Sequence, residues 1–160
     1  MRVLTIIGNR PQFVKAAAVS KRLRQRHEEV LVHSGQHYDD ELSGVFFREL
    51  ELPTPDRQLG VGSGPNAWQV SAIMTALDPL AREVDPDLAM VYGDTNTTLA
   101  GALACAKLEL PLVHVESGMR SFDRSMPEER NRILADHLAA LRLCSTSTAV
   151  GNLEAEGVTD

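Results

Sequence analysis

Cysteine is nearly missing from this chain: two residues in 160, Cys105 and Cys144, with no CxxC pair and no Cys/His spacing that suits zinc. Both thiols read as reduced core groups, Cys105 in a helical pattern and Cys144 in a strand. Long apolar runs are also missing. The opening MRVLTIIGNR is too short in its apolar part for a signal peptide and has no small-residue cleavage site after it, and no stretch approaches membrane-spanning length. A cytoplasmic protein with no membrane partner is the expectation. There is no long Lys/Arg run, and the net charge is -6, so the basic face that phosphate neutralisation requires is absent and a nucleic-acid partner is not expected. Neither GxGxxG after the first strand nor GxxxxGK[ST] occurs, which leaves an NAD fingerprint and a P-loop unsupported. No Ser/His/Asp or Cys/His set has the strand-turn-helix nucleophile pattern.

What is present is a 43% hydrophobic chain of 160 residues, enough for one domain with a real core and too short for two of ordinary size. Arg2 to Ile7 is a β-branched run ending at Gly8, and Pro11 to Arg26 is an amphipathic helix. The unit repeats: strand Val30 to His33 and helix 41–50, strand Leu88 to Tyr92 and helix Leu99 to Leu108, strand Leu112 to Val115 and a helix from Pro127. A short strand at Leu141 to Cys144 and a helix ending at Gly157 follow. Between these, ELPTPDRQLGVGSGPN reads as loop with a short strand at Arg57 to Leu59, and Ala67 to Val84 as a helix that Pro79 bends or breaks. Alternation of strands and helices predicts an α/β fold, a doubly wound parallel sheet covered on both faces.

Ligands of such sheets bind outside the carboxyl ends of the strands. Gly8-Asn9-Arg10, Gly35-Gln36-His37, Gly93-Asp94-Thr95-Asn96 and Glu116-Ser117-Gly118 each follow a strand, so four loops deliver donors, cations and carboxylates to one edge. The opposite loops, EVDPD and KLELP, carry acids and prolines with little other chemistry. Arg10 and Lys15 sit where a helix N-terminus already favours anions; they suit a phosphate or are solvated surface cations. GDTNTT is either an N-cap cluster or part of a site. SMPEERNR, residues 125–132, packs Glu128, Glu129, Arg130 and Arg132 into one turn. Ser125 and Glu128 have capping-box spacing and Pro127 suits a first turn, while Asp94, Glu116 and Glu128 with Arg10, Lys15 and Arg132 suit acid/base work on a charged substrate. His114, inside a strand, is expected to be a satisfied core residue.

GNRPQFVK, SGQHYDD, GDTNTTLAGALA, HVESGMRSF and MPEERNR, in that order and at those separations, resemble the non-hydrolysing UDP-N-acetylglucosamine 2-epimerase family over essentially the whole chain. The resemblance implies a Rossmann-like N-terminal domain over residues 1–160, the first domain of a GT-B type two-domain enzyme, with the C-terminal UDP-binding domain absent from this chain. It implies an isomerase that interconverts UDP-GlcNAc and UDP-ManNAc by eliminating and re-adding UDP, in cell-envelope polysaccharide biosynthesis. No cofactor and no metal would be needed. Asp94, Glu116 and Glu128 match acidic catalytic positions, and Arg10, Lys15 and Arg132 match cations that hold the diphosphate; His37 is the histidine of the binding-edge loops. Glu128 would cap the helix or catalyse, with Arg132 one turn on fixing its charge and orientation. A UDP-sugar substrate, the missing C-terminal domain and a homodimer are the implied partners, and the isolated chain would turn over little or nothing.

Ser117 and Met119 stand where the family pattern has Ala and Leu, small changes that leave the chemistry alone. Asp39 and Ala72 stand where substrate-activated bacterial members carry Gln and Arg, so allosteric activation is not expected. The competing readings are a nucleotide-sugar-binding domain without catalysis, and half of a GT-B glycosyltransferase or a hydrolysing relative.

Overall fold

A computed structural model describes residues 1–35 and 53–158. The expected helix 41–50, Asp39 and the loop residue His37 lie outside the described residues. The described chain runs β1 (Arg2–Ile7), α1 (Arg10–Leu23), β2 (Glu28–His33), β3 (Arg57–Gln58), α2 (Asn66–Val84), β4 (Leu88–Tyr92), α3 (Asn96–Lys107), β5 (Leu112–Ser117), α4 (Pro127–Leu138), β6 (Leu141–Cys144) and α5 (Ser147–Ala155). All pairings are parallel and the strand order is β3-β2-β1-β4-β5-β6. Chain order reverses direction between β1 and β4, the point at which crevices open in doubly wound sheets.

Period-2 alternation divides the strand residues between two cores. Val3, Ile7, Leu31, Met90, Tyr92 and Val113 pack with Phe13 and Ala16 of α1 on one face. Leu4, Ile6, Val32, Ala89, Val91 and Leu112 pack with Ile73 and Leu77 of α2, Ala100 and Ala104 of α3, and Ala135 of α4 on the other. Each fully buried aliphatic side chain contributes roughly 1.5–3 kcal/mol, so the frame beneath the loops is rigid.

Helix ends are made by local chemistry. Asn9 caps α1 by accepting from the Gln12 N–H at 3.3 Å, and Thr95 and Thr98 close a reciprocal capping box at the start of α3. α2 is continuous through Pro79, so of the expected bend or break, the break does not occur. The expected capping box at Ser125 does not form either. Ser125 turns both its N–H and its hydroxyl onto Asp123 Oδ1, at 2.9 and 2.6 Å, and α4 starts after Met126 with no side-chain cap. Cys105 is buried, whereas Cys144 on the edge strand is only half-buried; both are free thiols.

Candidate active site at the carboxyl edge of the sheet

β4 and β5 run in register to Tyr92 and Val115, which sets Gly93 and Asp94 beside Glu116. Gly93 turns the chain at φ +63° and Glu116 does so at φ +71°. For a non-glycine residue that conformation costs roughly 1–3 kcal/mol and needs support from its surroundings. Lys15, reaching over from α1, forms an ion pair with Glu116. Arg132, reaching from α4 on the opposite face, forms one with Asp94. These four residues, with Gly93 and Met119, line a cavity of about 200 Å³.

A second concavity of about 310 Å³ adjoins it, lined by Asn9, Ser63, Gly64, Asn66, Gln69, Thr95, Asn96, Pro127, Glu128 and Asn131. Its wall is mostly amide and hydroxyl, with Glu128 as the carboxylate. The two are joined through Asn131, whose Nδ2 donates to the Asp94 carbonyl at 3.0 Å. Asn96 in turn donates to Asn66 Oδ1 at 3.0 Å and Gln69 Oε1 at 2.8 Å.

Lys15, Asp94, Glu116 and Arg132 are therefore brought together, and Glu128 is placed next door. Arg10, the first residue of α1, is exposed and lines neither hollow; His37 lies outside the described residues. Arg132 does not hold Glu128. Its Nη1 pairs with Glu129 Oε2 at 3.2 Å; three and four residues back both share its face, and Glu129 is the one that points inward. Glu129, 1% exposed, accepts from the Ser121 and Phe122 N–H groups, both at 2.9 Å. Burial by itself would raise its pKa; those hydrogen bonds and the Arg132 charge outweigh it and leave the carboxyl below its usual range. The remaining cation of the turn, Arg130, donates to the Arg124 carbonyl at 2.7 Å.

GDTNTT divides between its two readings: Thr95 and Thr98 cap the helix, and Asp94 faces Arg132. Gln12 was not singled out by the sequence, yet it ties the first loop to the third, accepting from the Gly8 N–H at 2.7 Å and donating to the Tyr92 carbonyl at 2.7 Å. Its place inside GNRPQFVK, on the inward side of α1, is the signal that could have found it. Asn131 and Glu129 sit in SMPEERNR, where only the tertiary fold tells them from their neighbours. His114 is a satisfied core residue, as expected, with both ring nitrogens bonded.

The opposite edge holds a concavity of about 330 Å³, between the loops after α2 and α3. Though slightly larger, it is lined by acids, prolines and the apolar Ala81, Leu108 and Leu110, and its one cation, Arg82, is occupied by Asp78 at 3.1 Å. The carboxyl edge has compensated pairs of both signs on several elements, which is the arrangement that can bind an anion and move protons.

A doubly wound parallel sheet with a polar crevice at the carboxyl ends of its strands is the arrangement of a Rossmann-like α/β domain. The chain belongs to the UDP-N-acetylglucosamine 2-epimerase family, whose profile matches residues 21–160. A UDP-N-acetylglucosamine 2-epimerase homolog of Methanococcus maripaludis is 49% identical over 99% of this chain and 44% of its own length. The UDP-2,3-diacetamido-2,3-dideoxy-D-glucuronate 2-epimerase of Pseudomonas aeruginosa is 45% identical over 98% of this chain and 45% of its own. Among solved structures, the UDP-GlcNAc 2-epimerase of Methanocaldococcus jannaschii in complex with UDP-GlcNAc and UDP superposes with a TM-score of 0.96 at 39% identity, covering 99% of this chain and 44% of that one. The chain thus spans less than half the length of the relatives it matches.

Proposed function

We propose that this chain forms the N-terminal domain of a non-hydrolysing UDP-2-acetamido-sugar 2-epimerase, with UDP-GlcNAc/UDP-ManNAc interconversion as the reaction and a separate C-terminal domain supplying the remaining nucleotide contacts. The observation that carries this reading is the pairing of Lys15 with Glu116 and Arg132 with Asp94 around one cavity. The M. jannaschii and Neisseria meningitidis relatives are described with UDP-GlcNAc bound. At about 200 Å³ the cavity is below the roughly 300–1,000 Å³ usual for ligand sites, which suits one half of a cleft that a facing lobe closes. A homodimer belongs to the same proposal.

The chemistry follows from the substrate. The C2 proton of a 2-acetamido sugar has no adjacent carbonyl to acidify it. Lengthening of the anomeric C1–O bond leaves C1 oxocarbenium-like and acidifies C2–H; the bond's electron pair departs with the diphosphate, and the C2–H pair becomes the C1=C2 double bond of a glycal. Re-addition on C1, with a proton delivered to the other face of C2, gives the epimer. In the free site Lys15 and Arg132 neutralise Glu116 and Asp94. An arriving diphosphate competes for both cations, stabilises its own departure there, and releases the two carboxylates toward the sugar as proton carrier and cation stabiliser. Glu128, in the adjoining amide-lined hollow, takes the second proton-transfer position. Arg10 and His37 are assigned to substrate binding.

The test joins this chain at Asp160 to the C-terminal half of the M. jannaschii relative and incubates the fusion with UDP-GlcNAc in deuterated water. Epimerisation places solvent deuterium at C2 of the recovered UDP-sugar; glycosyl transfer does not, and hydrolysis releases free ManNAc. Asp94→Asn, Glu116→Gln and Glu128→Gln should each slow incorporation by about 10²–10⁴-fold. Unchanged incorporation in all three variants would remove the catalytic assignment. Binding of UDP-GlcNAc without any exchange would leave a binding domain.

A further inference from the structure

Beneath the cavity, and lining neither hollow, His114 sits fully buried in β5. Its Nδ1 is 2.6 Å from Asp136 Oδ1 on α4 and its Nε2 is 2.7 Å from the Gly93 carbonyl. A carbonyl has no proton to give, so Nε2 carries one and donates it. The Nδ1···Oδ1 axis holds one more proton, whichever partner formally owns it. Asp136, also fully buried, accepts through Oδ2 from the Gly118 N–H at 3.1 Å and from Arg120 Nη1 at 2.7 Å. Arg120 continues to Glu156, the residue that caps the end of α5, at 2.7 Å.

Gly93 immediately precedes Asp94, and Gly118 lies two residues after Glu116. The ring and carboxylate thus join the two turns that carry the paired acids, both of which have positive-φ backbone. We propose that His114 and Asp136 are a positioning pair for the candidate reaction, tying the Gly93 carbonyl to the Gly118 N–H so that the separation of Asp94 and Glu116 is set from inside the sheet. This rests on the reading of Asp94 and Glu116 as reacting groups. The other charged or titratable groups around the pair are Arg142, whose Nε donates to the Asp136 carbonyl at 2.7 Å, and Cys144, both on β6. Burial would raise the Asp136 pKa; the hydrogen bond and charge of His114, then Arg120 and the Gly118 N–H, outweigh it and hold the carboxyl below its usual range.

Gln and Asn variants separate the two halves of the tie. In His114→Gln the amide nitrogen sits near the ring's Nε2 and keeps the bond to Gly93, and in His114→Asn it sits near Nδ1 and keeps only the bond to Asp136. Asp136→Asn keeps an oxygen for Gly118 and Arg120 and a donor for Nδ1, so every hydrogen bond has a neutral counterpart. In the M. jannaschii fusion, His114→Asn should lower kcat about 10²-fold, the loss typical of a reacting group misplaced by about 1 Å, with KM changed by no more than a few-fold. His114→Gln, which keeps Gly93 but loses Asp136, should fall by a similar factor, while Asp136→Asn, which keeps both halves, should stay near wild type. A kcat that follows melting temperature across the three variants, or an Asp136→Asn kcat as low as those of the two His114 variants, would overturn the proposal. On the 160-residue chain, ¹⁵N-histidine NMR should detect a hydrogen-bonded proton on each side of the ring, and His114→Asn should shift the backbone amides of both Asp94 and Glu116. A bare Nε2, or unmoved Asp94 and Glu116 amides, would equally overturn it. If the wild-type fusion incorporates no deuterium, the functional reading fails, and the NMR result still decides the tie.

Discussion

Glu128 and Glu129 are adjacent, identical and in the same helical turn, and the structure places them in opposite surroundings. Glu129 is buried and holds two backbone N–H groups at 2.9 Å and Arg132 at 3.2 Å; Glu128 is exposed on the amide-lined hollow. Replacing Glu129 with Ala strips acceptors from two loop N–H groups, at roughly 1–3 kcal/mol for each donor left unsatisfied, and water reaching that exposed loop reduces the sum. It also leaves Arg132 without one of its two carboxylates. Removing one partner from a buried charged network costs about 3–5 kcal/mol, and the two routes agree. Glu129→Gln keeps one acceptor and turns an NH₂ against the other donor, for about 2 kcal/mol. Glu128→Gln should stay within about 0.5 kcal/mol of wild type. Urea unfolding of the chain reads this as a midpoint shift: with a slope of about 1–3 kcal/mol/M, Glu129→Ala moves down by about 1–5 M and Glu128→Gln does not move. In the deuterium assay the order reverses at a temperature where all variants are folded, Glu128→Gln being the slow one. Equal destabilisation by the two Gln variants, or a Glu129→Ala midpoint indistinguishable from wild type, would refute the assignment.

Stability should also fall between pH about 6.5 and about 4. Burial pushes the His33 pKa down to about 4, so as pH drops the unfolded chain takes up a proton at its ordinary value near 6.5 while the folded chain does not. The loss is on the order of 3 kcal/mol, and the difference in slope between wild type and His33→Asn in chemical denaturation isolates it. Gly118→Ala should detach α5: the added Cβ would sit 2.2 Å from the Ala149 carbonyl oxygen at φ +78°, and limited proteolysis should then cleave within residues 147–155. Gly93→Ala meets nothing nearer than Glu116 Oε2 at 3.4 Å, so it should cost only the roughly 1–2 kcal/mol of a left-handed L-residue, read by thermal unfolding.

The doubly wound order was legible because β1, β4 and β5 are short, largely apolar runs that end at glycine or a polar loop, a signal that survives without tertiary information. Helix starts were less legible. Asn96-Thr97-Thr98 looks like loop, yet it forms the buried first turn of α3, its polar atoms absorbed by Gln69, Asn66 and the Thr95 box. Ser125 carried the right spacing for a cap, and Asp123 two residues upstream outcompeted the helix for it. The edge placement of Asp94 and Glu116 followed from the strand ends, and Lys15 and Arg132 fall on the helices that come after β1 and β5. The partnering did not follow, because Arg132 has carboxylates at one helical turn and across a loop, and only packing decides between them.

Where those partners come from bears on how a site of this kind can work. Lys15 belongs to α1, packed on one face of the sheet, and Arg132 belongs to α4, packed on the other. The two cations reach over the end of the sheet from opposite sides and meet carboxylates that follow the neighbouring strands β4 and β5. A single helix could not do this, since one face of one helix presents its charges along a line. An anion placed between the cations would compete with both acids at once. Loss of either cation should therefore unbalance the opposite acid as well as weaken anion binding. Lys15→Met and Arg132→Met are expected to be non-additive in UDP binding by about 0.5–3 kcal/mol, a coupling that two independent surface cations would not have.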